Sequence, residues 1–300
     1  MLLKRNIPVQ FIIKKVWREA IILFLVTLGI YLMRLFEWWH RPALPLSLIT
    51  VLGTAISLVL AFRTNQSYDR WWEARSIWGG IVNDSRTLIR QVVAFTGNQG
   101  PAKPIVNRIA NRQIAWCYSL SQSLRGMDAL DGLSAYLEPN ELAAAGAADN
   151  KPNALLQQHS ADVKGLQTMG AIDSFGMMQM DNTIGRLCDH MGKCERIKST
   201  VFPSTYSLFI HCFIYLFIFT IPFGLGNEFG ITEIPLTTGI GVAFFLIEKT
   251  AMHMQDPFEN RPTDTAMTTI ATNIHRNILQ MTGASEGQPA PHPPGPFYAM

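Results

Sequence analysis

Hydrophobic positions along the chain gather into four long runs. The first is Ala20 to Met33, fourteen residues, extended by Trp17 before it and by "LFEWW" after it. Arg18 and Arg34 stand where their side chains can snorkel from the ends of a span. The second run is Leu44 to Phe62, nineteen residues without a charge. The third is Val201 to Gly226, twenty-six residues in which His211 is the one group that titrates near neutrality. The fourth is Ile234 to Ile247, fourteen residues confined by Glu233 and Glu248. A membrane-spanning helix needs ~20 apolar residues. The two longer runs meet that length. The shorter two span if they tilt or thin the bilayer, or else are buried helices of a soluble core.

Between the second and third runs, Arg63 to Thr200 carries most of the charge. "SIWGGIVNDSRTLIRQVVAF", "RQIAWCYSLSQSLR" and "MMQMDNTIGRLCDHMGKCERI" space their apolar residues as amphipathic helices do. No alternating strand pattern competes, and "LEPNELAAAGAADNKPN" reads as a polar loop. The expected organisation is residues 1–64 with two membrane helices, 65–200 as a helical cytosolic region, and 201–250 with two more membrane helices. Residues 251–282 form a cytosolic C-terminal segment. The proline- and glycine-rich 283–300 is expected to be a disordered tail.

The second run does not stop where its apolar residues do. No proline or glycine falls between Gly53 and Gly79. With Pro42 and Pro45 suited to a helix start and Gly79-Gly80 to a stop, one helix is predicted over Leu46–Trp78. At 1.5 Å per residue it reaches ~50 Å, beyond the ~30 Å hydrocarbon core, so it leaves the bilayer near Arg63. Its membrane half carries a small polar stripe, Ser47, Thr50, Thr54 and Ser57, continued by Ala61. Leu58 and Phe62 follow Thr54 by four and eight residues, on nearly the same side. Such a stripe either packs closely against another helix or faces water, with Leu58 and Phe62 as a hydrophobic constriction. Spacing alone favours packing.

Composition narrows the class. The 300 residues are 48% hydrophobic and 16% charged, which suits a chain partly in lipid and partly in water. A net charge of +3 gives no argument for nucleic acid. The four cysteines form no framework of close pairs, as in a reducing compartment. The N-terminus lacks the pattern of a cleaved signal peptide. Lys4, Arg5, Lys14, Lys15 and Arg18 precede the first span, and the connection between the third and fourth has no basic residue. Both termini are therefore expected on the cytoplasmic side of the plasma (inner) membrane. The seven histidines are scattered, and no phosphate loop or nucleophile elbow occurs, so no enzyme and no cofactor is expected. A membrane-bound enzyme and a scaffold without transport remain the alternative classes. Cys188, His190 and Cys194 lack zinc-ligand spacing and read as packing residues. His211 reads as a helix–helix hydrogen bond or as a group facing a pore.

Four further motifs carry a resemblance. "FRTNQSYDRWWEAR", "KCERI" followed by "PSTYS", "IPFGL" at Ile221–Leu225 and "DPFEN" at Asp256–Asn260 are similar to motifs of the bestrophin family, in its bacterial branch. The likeness runs from about Leu3 to Met281. It implies an all-α membrane protein with four transmembrane helices and a helical cytosolic vestibule, assembled as a homopentamer around one axial pore for small monovalent ions. By this likeness Thr54, Leu58 and Phe62 form the pore neck, Thr54 departing from the bulky apolar residue usual there. Phe175 becomes a cytosolic aperture. The second helix would join neck to vestibule. Anions such as chloride are the cargo favoured by the family, with a monovalent-cation channel the alternative. Animal members hold calcium with an acidic run after the fourth span. Here only Asp256 and Asp264 match ligand positions, and Arg261 and Pro262 interrupt the run, so a capped turn is the favoured reading there.

Overall fold

The computed structural model describes residues 9–36, 44–98, 100–200, 203–225 and 229–283. Lys4, Arg5, "EWW", Pro42 and the tail beyond 283 lie outside them. Among the described residues regular structure is entirely helical: α1 Val9–Leu35, α2 Leu46–Thr96, α3 Lys103–Leu124, α4 Pro139–Gly146, α5 Lys151–Thr168, α6 Ser174–Ser199, α7 Ser204–Gly224, α8 Glu233–Gln255 and α9 Met267–Thr282. Four helices are long and apolar enough to cross a membrane, over Ile13–Leu35, within Leu46–Thr96, over Thr205–Gly224 and over Gly230–Gln255.

The described chain divides into two compact units. One gathers Arg5–Arg70 and Val201–Gln255, the other Trp71–Thr200 and the chain from Asp256 onward. α2 contributes to both.

In the first unit, α1, α7 and α8 pack around Leu23, Ile214, Phe217, Ile218 and Phe245, all nearly or fully buried. Lipid tails are as apolar as these side chains, so close packing rather than water exclusion holds the helices together. Gly241 shows how close they come. A Cβ there would sit 2.6 Å from the Leu23 side chain and 2.7 Å from that of Ile218. Polar groups are paired across helices. Arg34 on α1 meets Glu233 on α8 at 3.0 Å, and Thr27 lies 3.3 Å from Thr238.

In the second unit α3 is the central element, with both faces covered. Ile109, Ile114, Trp116, Leu120 and Leu124 are buried against residues of α5, α6 and α9. This burial requires Arg112, also on α3, to be neutralised within the unit. It pairs with Glu141 on α4 and donates to Asp162 on α5 at 2.6 Å. Fully buried His159 lies 3.4 Å from Arg112, and burial, then the guanidinium, hold its imidazole well below the usual range and hence neutral.

Two local expectations are corrected. Gly79-Gly80 does not end α2, which runs on to Thr96 for 51 residues. Gly80 serves packing instead: a Cβ there would lie 2.4 Å from His190 Cε1 on α6. The segment read as a polar loop contains α4. Glu138 and Glu141 form a reciprocal capping box at its start, and Pro139 occupies the first turn, where a missing amide costs nothing.

Candidate functional site: the exposed stripe of the second helix

The membrane half of α2 buries one narrow face. Ile49, Ile56, Leu60, Arg63 and Ser67 are nearly inaccessible. Their spacing of seven, four, three and four residues keeps them on one side of the helix. The opposite side is uncovered. Ser47, Thr50, Thr54, Ser57, Leu58, Ala61 and Phe62 are all exposed within the subunit, Leu58 by 56% and Phe62 by 58%. Sequence spacing favoured packing for this stripe, and none of it is covered by the subunit's own helices. Its hydroxyls are satisfied locally. Thr50 donates to the Leu46 carbonyl, Thr54 to that of Thr50 and Ser57 to that of Gly53, at 2.9, 2.8 and 2.8 Å. Such bonds let a polar residue face either lipid or water without an orphaned donor.

Arg63 marks the end of the apolar run, yet it does not reach outward. It is fully buried and donates from Nη1 to Glu248 Oε1 on α8 at 3.1 Å and from Nη2 to Ser207 Oγ on α7 at 2.7 Å. The Glu248 side chain is equally inaccessible. His211 Nε2 stands 3.4 Å from Glu248 Oε2. It is therefore a helix–helix contact, one of the two readings left open by sequence. Sequence reasoning missed the Arg63–Glu248 pair. The available signal was a charge at the end of each of two apolar runs, since charges at membrane depth pair with one another.

Phe175 is 75% exposed in the first turn of α6. Asp173 fixes this turn by accepting from the Gly176 amide at 2.7 Å. The aromatic ring is thus presented by a rigid helix start, with buried Gly176 beside it.

Asp256 and Asp264 flank the turn after α8. Asp256 is partly exposed and Asp264 is buried. Asp264 Oδ2 accepts from the Arg261 amide at 2.9 Å, and the Thr265 amide donates to the Pro257 carbonyl at 3.1 Å, so the turn is closed by its own groups. Burial raises the Asp264 carboxyl to about 6, against the lowering effect of the Arg261 amide bond and side chain. Glu259 points to Lys198 at 2.6 Å. Calcium wants six to eight oxygens, several of them charged. Among the described residues no three acidic, histidine or cysteine side chains converge. The donor set does not suit calcium. Nor do Cys188, His190 and Cys194 meet. Cys188 is exposed, His190 lies 3.1 Å from Asp84, and burial pushes the Cys194 thiol up to about 12.

The sequence profile of the family described as Bacterial/Fungal Bestrophin protein matches residues 7–280. The chain belongs to the bestrophin family. A voltage-dependent anion channel-forming protein of Ralstonia nicotianae is 32% identical over 239 residues, covering 80% of this chain and 77% of the relative. A protein of Escherichia coli K12 with the same functional name, YneE, is 26% identical over 277 residues, covering 92% and 89%. The crystal structure of a bacterial bestrophin homologue from Klebsiella pneumoniae superposes with a TM-score of 0.83 at 26% identity, over 90% of this chain and all of that one. The all-helical architecture with four apolar helices is thus the bestrophin fold. The Ralstonia and Escherichia relatives are named as channel-forming proteins, not as enzymes.

Proposed function

We propose that this bestrophin is an ion channel of the plasma (inner) membrane, built from five copies around one axial pore and passing small monovalent ions. One observation carries the reading: the membrane half of α2 leaves an uncharged stripe uncovered, ending in Leu58 and Phe62. Copies of the same helix arranged about an axis would bring these stripes face to face. Thr54 then forms the outer, more polar part of the neck, Leu58 the narrowest ring and Phe62 the ring below it. Phe175 forms a second aperture on the cytosolic side, and both termini are cytoplasmic. Anions are the favoured cargo, because the relatives are named as anion channel-forming proteins. A monovalent-cation channel is the second reading, favoured by the stripe itself: it carries no positive charge, and its hydroxyl hydrogens are given to the helix backbone. Mass photometry in mild detergent tests the assembly. A pentamer is expected, and a stable monomer or dimer would contradict the axial pore.

A further inference from the structure

The contact between α7 and α8 holds a question of proton count. His211 Nδ1 lies 2.9 Å from the Ser207 carbonyl. A carbonyl only accepts, so Nδ1 carries the hydrogen. In a neutral imidazole Nε2 then has a lone pair and no hydrogen. Nε2 stands 3.4 Å from Glu248 Oε2, a buried oxygen with no hydrogen-bond partner among the described residues, while the His211 side chain is 31% exposed. Two acceptors brought together over a buried carboxylate repel. A proton on either partner removes the conflict: it makes an imidazolium beside a carboxylate, or a carboxylic acid beside an imidazole.

We propose that His211 and Glu248 form a proton-binding site whose occupancy sets the anchoring of α2. Arg63 bonds both elements of the pair, Glu248 on α8 and Ser207 on α7, and Ser207 supplies the carbonyl that orients His211. Arg63 also precedes Thr64 and follows Phe62 directly on α2. The charged and titratable groups facing the pair are Arg63 from α2, Glu19 from α1 and Lys249 from α8, with Lys249 Nζ 2.5 Å from Glu19 Oε1. Tyr215 stands on α7 one turn beyond His211, and both rings meet that of Phe245 at a tilt, 54° and 32° respectively. With the proton bound, α7 and α8 are drawn together and Arg63 keeps both partners. When the proton leaves to bulk water, the carboxylate and the Nε2 lone pair repel. The seam then opens, and Arg63 stays with the Glu248 carboxylate on α8 and loses its bond to Ser207 on α7. The turn of α2 that carries Phe62 is released.

The consequence for flux rests on the neck reading above. Ion flux through the full-length protein in vesicles, with the same pH inside and out, should rise severalfold between about pH 5 and pH 8, the range in which histidine side chains change charge. His211→Gln keeps an amide hydrogen against Glu248 at every pH, so its flux should stay low and flat. His211→Lys, a cation beside the carboxylate, should also lose the histidine step, and either variant suffices if the other fails to assemble. In nitrogen-15 histidine spectra of the wild type, the resonance missing from the variant should titrate with the same midpoint as the flux. A wild-type flux independent of pH would overturn the proposal, as would a His211→Gln protein that keeps the wild-type step. Leu58→Ala in the same vesicles separates this from failure of the neck reading, since it raises flux only where the neck is right.

Discussion

Truncation of Leu58 separates a pore-lining role from a packing role. Leu58 is 56% exposed on its subunit, whereas Leu60, two residues on, is 2% exposed in the core of the same unit. Removing a buried leucine side chain costs roughly 2–5 kcal/mol in stability, through lost contacts and a cavity. Truncating an exposed one costs well under about 1 kcal/mol. Leu60→Ala should therefore destabilise or fail to assemble, and Leu58→Ala should assemble with nearly wild-type stability. Conduction should behave in the opposite way. Five Leu58 side chains around an axis would make a dry ring that offers a passing ion nothing in exchange for its water. Such desolvation costs several kcal/mol. Alanine widens the ring and admits water. Each ~1.4 kcal/mol taken off the barrier speeds passage tenfold, so single-channel conductance should rise by about tenfold or more. Selectivity should move little, because no charge is removed. Planar-bilayer recording of the purified assemblies reads both. A Leu58→Ala pentamer that conducts no more than wild type refutes the placement of this stripe on the axis. If Leu60→Ala assembles and conducts more instead, α2 is rotated relative to this account.

Millimolar EGTA should leave ion flux unchanged, because the turn holding Asp256 and Asp264 is closed by its own amides; a reversible loss restored by calcium would contradict this. Asp264 has its carboxyl raised by burial from 3.8 to about 6. The folded state then holds a proton that the unfolded chain has lost, so this contribution to stability is full below about pH 3.8 and is lost as pH rises through about 6. Thermal melts of Asp264→Asn, whose amide oxygen can still accept from Arg261, should show a flatter decline across that window than the wild type. Glu141→Ala leaves the buried Arg112 with Asp162 and removes the cap of α4. It should destabilise the unit by about 3 kcal/mol, the lower end of the cost of breaking a buried pair, read as a fall in denaturation midpoint.

The four apolar helices were legible because the bilayer demands length and apolarity, and both are local properties of the chain. The stripe on α2 was legible for a similar reason: Thr50, Thr54 and Ser57 stand at helical spacing, and that spacing survives in the structure. What spacing could not decide was whether a neighbour covers the stripe, since Ile49, Ile56 and Leu60 define the buried face only once α7 is packed against them. The end of α2 was misplaced because Gly79-Gly80 has two physical uses. Next to a turn it would break a helix; under His190 it lets another helix approach. The Arg63–Glu248 pair joins residues 185 positions apart, and nothing local to either residue names the other. The capping box of α4, by contrast, is written in Glu138 and Glu141 three residues apart, and alanine-rich polarity hid it.

Current through the purified protein in a planar bilayer under a potassium chloride gradient decides whether it conducts and which ion it passes. A steady current that reverses near the chloride equilibrium potential is expected. Reversal near the potassium potential would keep the channel and contradict the anion reading. No current above that of the protein-free bilayer, from a verified pentamer, would contradict the channel itself.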